Sequence, residues 1–262
     1  MAESPLIPEQ RRKKMLKLLT QHETLSVREL TEMLGVSHMT VRRDISELES
    51  QGLAYGVAGG VRHAQAVGHA PTFDSKREED TAEKIAIAEY ASRLIHDEGT
   101  YYLDAGTTTA ALLPAIRKHS GVTVVTNDFA IVSHLLTDRH VDVLHTGGGL
   151  DHSNRSSVGP LAEVLLGRLS LDVAFVSATS WDLRRGVTST DLSKVGVKRA
   201  AIAASSSSVL MAASSKFGKY ATYRVAELQE FDTVVTDEGV SPETADRIRE
   251  SDVELVTRPV AD

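Results

Sequence analysis

From residue 81 onward, six short apolar runs recur along the chain: TYYLD, VTVVT, VDVLHT, DVAFVSA, SVLMAA and DTVVT. Helical patterns stand between most of them, among them FAIVSHLLTD, GPLAEVLLGRL and LSKVGVKRAAIAAS, and a helix through AEKIAIAEYASRLIHD precedes them. Strands that alternate with helices leave a chain few choices. They predict an α/β domain with a mostly parallel, doubly wound, Rossmann-like sheet. Such sheets bind ligands beyond the carboxyl ends of their strands.

The 262 residues also leave room for a smaller domain ahead of this one. The chain has no cysteine, which excludes disulfides, thiolate zinc sites and cysteine nucleophiles. Its ten histidines are scattered, and none pairs at i, i+4 around an acid, so neither a metal nor a cofactor is expected. No apolar run approaches the ~20 residues of a membrane helix. The N-terminal MAESPLIPEQRRKKML has no apolar core ahead of a small-residue cleavage site, so a cytoplasmic protein is expected. The net charge is −7, unevenly spread: residues 1–63 hold nine Lys/Arg against eight Asp/Glu, whereas residues 64–262 hold twenty against twenty-eight.

Residues 1–63 read as three helices and a hairpin. Pro8 to Gln21 carries an apolar stripe of Met15, Leu18 and Leu19. Ser26 and Glu29 form an S-x-x-E capping box for a second helix, which Gly35 ends. Ser37 caps a third helix that runs to about Ser50. On it Val41, Ile45 and Leu48 share the inward face, while Met39, Arg43 and Ser46 point the opposite way. His38 and Arg42 lie on one flank and Thr40 on the other. LAYGVAGGVRH then reads as two strands around a glycine turn. The whole is a winged helix-turn-helix whose third helix is cationic toward its N-terminus, as insertion into a major groove requires. Ser37, His38, Met39, Thr40, Arg42 and Arg43 are the expected DNA contacts there, with Arg62 in the wing. Two arginines alone would read as a solvated face; their setting favours DNA.

A polar linker over residues 64–80 leads to the α/β domain at 81–262. Several loops at its strand ends could hold an anion. LDAGTTTA, Leu103 to Ala110, follows a strand and opens a helix; Gly106 lets the backbone turn, and Thr107, Thr108 and Thr109 set hydroxyls beside free helix amides. A plain N-cap is the alternative. TND brings Asn127, and TGGGLDHSNRSSVGP brings Gly147, Gly148 and Arg155. That second loop either approaches a ligand closely or is a long surface loop. SSKFGK places Lys216 at a strand end. Neither G-x-G-x-x-G nor G-x-x-x-x-G-K-[ST] occurs.

The first segment resembles the DNA-binding domain of the DeoR family of bacterial transcription regulators. Arg11, Met15, Leu19, Ser37, Thr40, Val41, Arg42, Arg43, Asp44 and Ile45 meet that family's signature without a gap. The resemblance adds Arg11 to the DNA-binding set and implies that His38 and Met39 help read bases. From Phe73 on, the chain resembles the family's sensor domain, which is similar to ribose-5-phosphate isomerase. The matching motifs are EK (Glu83, Lys84), LDAGTTT, VVTND, TGGG, VGP, AFVSA, VKRA and SSKFG. By that resemblance a phosphate would meet Thr107, Thr108, Thr109 and Lys216, and Asp104 would contact sugar hydroxyls or order the loop. Ala213 and Lys194 stand where the family usually has acids, and Ser177–Trp181 replaces its usual turn, so acid/base pairs for catalysis are thinned.

A DNA-binding regulator is therefore expected, a repressor of a carbohydrate or polyol operon. Its partners would be double-stranded operator DNA, a small phosphorylated sugar or polyol effector, and copies of itself in a dimer or tetramer, with no membrane. The rivals are an isomerase-like enzyme with an appended DNA-binding module, and a metabolite-binding protein with a vestigial head.

Overall fold

The computed structural model describes residues 6–260. Helices Pro8–Gln21 (α1), Val27–Leu34 (α2) and His38–Ser50 (α3) build the head. Each begins as its cap predicts: proline in the first turn of α1, a reciprocal Ser26–Glu29 capping box on α2, and Ser37 Oγ accepting the Thr40 amide on α3. Gly35 ends α2 in the left-handed region at φ 66°. Met15, Leu30, Val41 and Leu48 meet at its centre, fully buried. Strands Ala54–Val57 (β1) and Gly60–His63 (β2) pair antiparallel as the wing.

The wing is welded to the C-terminal part of the chain. Tyr55 is buried edge-on against Phe217, ring centroids 5.6 Å apart. Val57 bridges Val240, the Ala58 amide donates to the Gly239 carbonyl at 3.1 Å, and Thr244 Oγ1 donates to the Gly56 carbonyl at 3.3 Å. Glu49 at the end of α3 pairs with Arg247 at 2.9 Å. Burial raises the Glu49 pKa, against the pull of that arginine. The segment 64–80, expected to be a polar linker, is likewise built in. Gln65–Ala66 (β3) pairs with Lys219–Tyr220, and Phe73–Glu78 (α4) opens on a Thr72 cap with Phe73 buried.

The α/β domain continues with Thr81–Ala91 (α5), Thr100–Leu103 (β4), Thr107–Ala110 (α6), Leu113–Ile116 (α7), Thr123–Thr126 (β5) and Phe129–Leu135 (α8). Next come Asp142–His145 (β6), the hairpin Gly149–Asp151 (β7) and Ser156–Val158 (β8), Pro160–Leu166 (α9) and Leu171–Ser177 (β9). Trp181–Asp182 (β10), Gly186–Ser189 (β11), Leu192–Ala203 (α10), Ser205–Met211 (β12), Lys219–Tyr220 (β13) and Tyr223–Ala226 (β14) come after it. Thr233–Asp237 (β15), Pro242–Arg249 (α11) and Glu254–Arg258 (β16) complete it.

Seven strands form one parallel sheet in the order β16-β15-β12-β9-β4-β5-β6. Tyr101 and Leu103 of β4 bury into the core on one face, with Val173 and Phe175; Tyr102 buries into the other, with Ala174 and Val176. All six predicted strands lie in this sheet. The seventh, β16, helix α11 and the small antiparallel sheet β10-β11-β14 are additions to the elements that the apolar runs predict. Among the described residues no helix is long and apolar enough to cross a membrane.

From β4 the chain winds outward to β5 and β6, then returns past β4 to β9 and winds the other way. The strand order therefore reverses between β4 and β9. Side-by-side loops part there and leave a crevice at the carboxyl ends.

Candidate functional site

Two surfaces carry the expected residues. On α3, His38, Met39, Arg42 and Arg43 are exposed, and Met39 keeps 62% of its surface open despite being apolar. Arg42 lies 3.9 Å from Glu243, but both side chains are largely exposed, and such pairs hold weakly. Ser37 and Thr40 are occupied first by the helix cap, their hydroxyls 2.9 Å apart. Arg62 of the wing donates to Thr24 Oγ1 at 2.8 Å and pairs with Glu23 at 3.3 Å.

Arg11 does not join this face. Its guanidinium grips both oxygens of Asp44 with Nε and Nη2, and its side chain is only 12% exposed. Arg12 stands 3.7 Å from the same carboxylate. Asp44 is buried where α1 crosses α3, and a buried carboxylate needs a cation. The expectation of a DNA contact at Arg11 is corrected to a tie between helices.

The second surface is the crevice at the strand-order reversal. It gathers Asp104, Gly106, Thr107, Thr108, Asn127 and Lys216 from the sequence-based set. Asp104 directly follows β4 and spans the gap to β9: its Oδ2 accepts the amide of Ser177 at 3.0 Å and the Ser177 hydroxyl at 2.8 Å. A Cβ on Gly106 would stand 2.7 Å from Ser177 Oγ, so only glycine passes there. Asn127 and Asp128 hold the loop from behind: Asn127 Oδ1 accepts the Ala105 amide at 3.0 Å, and Asp128 Oδ2 accepts the Gly106 amide at 3.0 Å. Burial raises the Asp128 pKa, against the backbone amides that it accepts. The first-turn amides of α6 have no partner one turn back, which leaves those of Thr107 and Thr108 open to an oxyanion, while the Thr107 hydroxyl donates to the Lys76 carbonyl at 3.4 Å.

Three expectations fail on direction. Thr109 is fully buried, and its hydroxyl donates to the Asp104 and Gly106 carbonyls at 2.6 and 2.9 Å; it ties the loop and faces no ligand. Arg155 sits outside the crevice, paired with Asp74 at 2.8 Å and 4.8 Å from the Phe73 ring. Gly147 and Gly148, at φ 66° and 122°, turn the chain from β6 into β7, with Gly148 close against the Val158 carbonyl.

In their place the crevice is lined by lysines. Lys76, Lys84, Lys194 and Lys198 join Lys216 there, against the single lining carboxylate of Asp104. Lys216 pairs with Glu79 at 2.9 Å and Asp80 at 3.0 Å; burial opposes its charge, but these partners raise its pKa. The Lys84 ammonium donates to the carbonyls of Lys76 and Glu79, and burial, then Lys216, lowers its pKa. Lys198 bridges Asp104 and, at 2.8 Å, the Ser177 carbonyl. Lys194 pairs with Asp151 at 2.7 Å. Lys76 reaches Asn154, and burial together with Lys194 and Lys198 lowers its pKa to about 8. Lys194 and Lys198 are spaced i, i+4 on α10, a signal that the run LSKVGVKRA itself carries. Lys76 lies in the stretch expected to be a linker.

Comparison with known proteins agrees with both halves. Residues 11–66 match a DeoR-like helix-turn-helix domain and residues 79–238 a DeoR C-terminal sensor domain. A protein of Haemophilus influenzae described as an uncharacterized HTH-type transcriptional regulator is 42% identical, over 97% of this chain and 98% of that one. A putative aga operon transcriptional repressor of Escherichia coli O157:H7 is 29% identical, over 94% and 93%. Among solved structures, ribose 5-phosphate isomerase A of Neisseria gonorrhoeae is 18% identical over 57% of this chain and 56% of that one, with a TM-score of 0.36, too low to bear on function.

Proposed function

The chain belongs to the DeoR family of transcriptional regulators, and from that premise we propose that it represses a carbohydrate or polyol operon and leaves its operator when a small phosphorylated metabolite fills the crevice. It is a DNA-binding regulator and not an enzyme, as its full-length relatives are. The relative named as a putative aga operon transcriptional repressor supports the repressor sign. The observation that carries the effector reading is the crevice itself: the Gly106–Thr108 turn and five lysines converge where the strand order reverses. In this reading residues 1–63 hold DNA, residues 81–262 sense the metabolite, and 64–80 couples them. The regulator works in the cytoplasm as a dimer or tetramer, since a second head doubles the phosphate contacts. The effector must favour the DNA-free state, or it switches nothing.

Thr108→Val tests the phosphate cradle. Losing a hydrogen bond to a charged oxygen costs about 1.5–3 kcal/mol, so roughly ten to a hundred times more effector should be needed to release operator DNA in a gel-shift titration. Release at the original concentration would exclude this loop from the site.

Lys76 gives the expected pH dependence. Its pKa is lowered to about 8, and a bound anion favours the charged form. Effector affinity should therefore be full near pH 7 and fall as pH rises through about 8, while a phosphate monoester stays dianionic. Calorimetric titrations at neutral and alkaline pH check the sign; affinity that rises with pH would remove Lys76 from the site.

A further inference from the structure

The lysines of the crevice fall into two groups, and only one belongs with a phosphate. Lys84 and Lys216 keep company with Glu79 and Asp80 beside the Thr107 turn: the Lys76 carbonyl accepts from both Thr107 Oγ1 and the Lys84 ammonium. The Lys76 side chain leaves that end and reaches Asn154, ahead of the β7–β8 hairpin's second strand. There it feels Lys194 and Lys198, with Asp104 and Asp151 as the nearby acids. Three ammonium groups face two carboxylates, which leaves one positive charge uncompensated. A desolvated excess charge of this kind is costly unless an anion completes it.

A second observation points at the same place. Ser156 lines the crevice beside Asn154 and is 1% exposed, yet its hydroxyl has no hydrogen-bond partner among the described residues. A buried hydroxyl left open in a site is a donor waiting for a ligand. The walls also offer hydroxyls, from Thr179 and Thr190 among others, and among the described residues the only lining carboxylate, Asp104, is already engaged by Lys198 and Ser177. The lining thus suits a hydroxylated chain with an anion at each end.

We propose that the effector is a phosphorylated sugar acid: its phosphate lies at the Gly106–Thr108 turn with Lys84, and a carboxylate at its other end meets Lys76, Lys194 and Ser156. A monoanionic carboxylate would neutralise the single uncompensated charge at that end. This proposal rests on the effector reading given above, and it narrows that reading from any sugar or polyol phosphate to one that is oxidised at the far carbon.

Matched pairs that differ only at that carbon test it on the full chain by calorimetry. Suitable pairs are 3-phosphoglycerate with glycerol 3-phosphate, 4-phosphoerythronate with erythritol 4-phosphate, and 6-phosphogluconate with glucitol 6-phosphate, with inorganic phosphate as reference. At the best-fitting chain length the acid should bind at least ~10-fold tighter than its polyol partner, as a charge-assisted contact predicts. Lys194→Met and Lys76→Met should each shrink that ratio to about threefold or less. Lys76→Met is the safer variant for folding, because Lys76 has no carboxylate hydrogen-bonded to it. A polyol phosphate that binds as well as its acid overturns the proposal and leaves the phosphate reading standing. A carboxylate preference that survives both substitutions overturns the assignment to this cluster. Binding by no member of any pair removes both the proposal and the reading beneath it.

Discussion

Arg43→Ala is expected to weaken operator binding by roughly ten- to a hundredfold and to leave the melting temperature almost unchanged. Arg43 stands on the exposed face of α3, away from the Val41–Ile45–Leu48 stripe that holds the helix in place, so its loss opens no cavity. It lies in the N-terminal half of the helix, the half that enters a major groove. The salt dependence of binding separates its two candidate partners. A lost phosphate contact lowers the slope of log affinity against log salt by about one unit, whereas a lost base contact relaxes sequence preference. Undiminished affinity, or a collapse in melting temperature, would remove Arg43 from the DNA face.

Arg11→Met is expected to do the reverse. It strands the Asp44 carboxylate between α1 and α3 with only the looser Arg12 nearby, and breaking a buried pair from one side costs about 3 kcal/mol or more. The melting temperature should drop by several degrees. Adding Asp44→Leu should restore much of it, because replacing both charges by apolar groups is often neutral. A variant that melts normally but has lost its DNA would return Arg11 to the DNA face.

The head is legible in the sequence because its signals are local. Ser26 with Glu29, Gly35 and Ser37 each fix a helix end within four residues, and the helices end where those caps put them. The parallel sheet is legible from apolar runs alone. The crevice is only half legible, for reasons of direction. Three adjacent threonines look alike in a sequence, but a helix turns about 100° per residue, so Thr109 faces the loop's interior while Thr107 and Thr108 line the crevice. Arg155, at φ 51°, swings out to Asp74. The lysines come from α4, α5, α10 and the loop after β12, and nothing short of the fold brings such distant positions together. Helix α11 is hard to read because PETADRIR buries little beyond Thr244, Ala245 and Ile248, which is too weak an apolar pattern to stand out.

The buried seam between wing and sensor limits how such a regulator can be recombined. Tyr55 packs against Phe217, and Gly218 at φ 74° lies so close under the Tyr55 ring that a side chain there would collide with it. Glu49 depends on Arg247 for its counter-charge, and the Gly56 carbonyl depends on Thr244. A head grafted onto a relative's sensor at residue 63 would leave a tyrosine and a carboxylate facing a surface not shaped for them. A working chimera would have to exchange 217–218 and 239–247 along with the head. The unit of inheritance is thus the reading helix together with the patch of sensor that supports its wing, although that patch lies more than a hundred residues away in the chain.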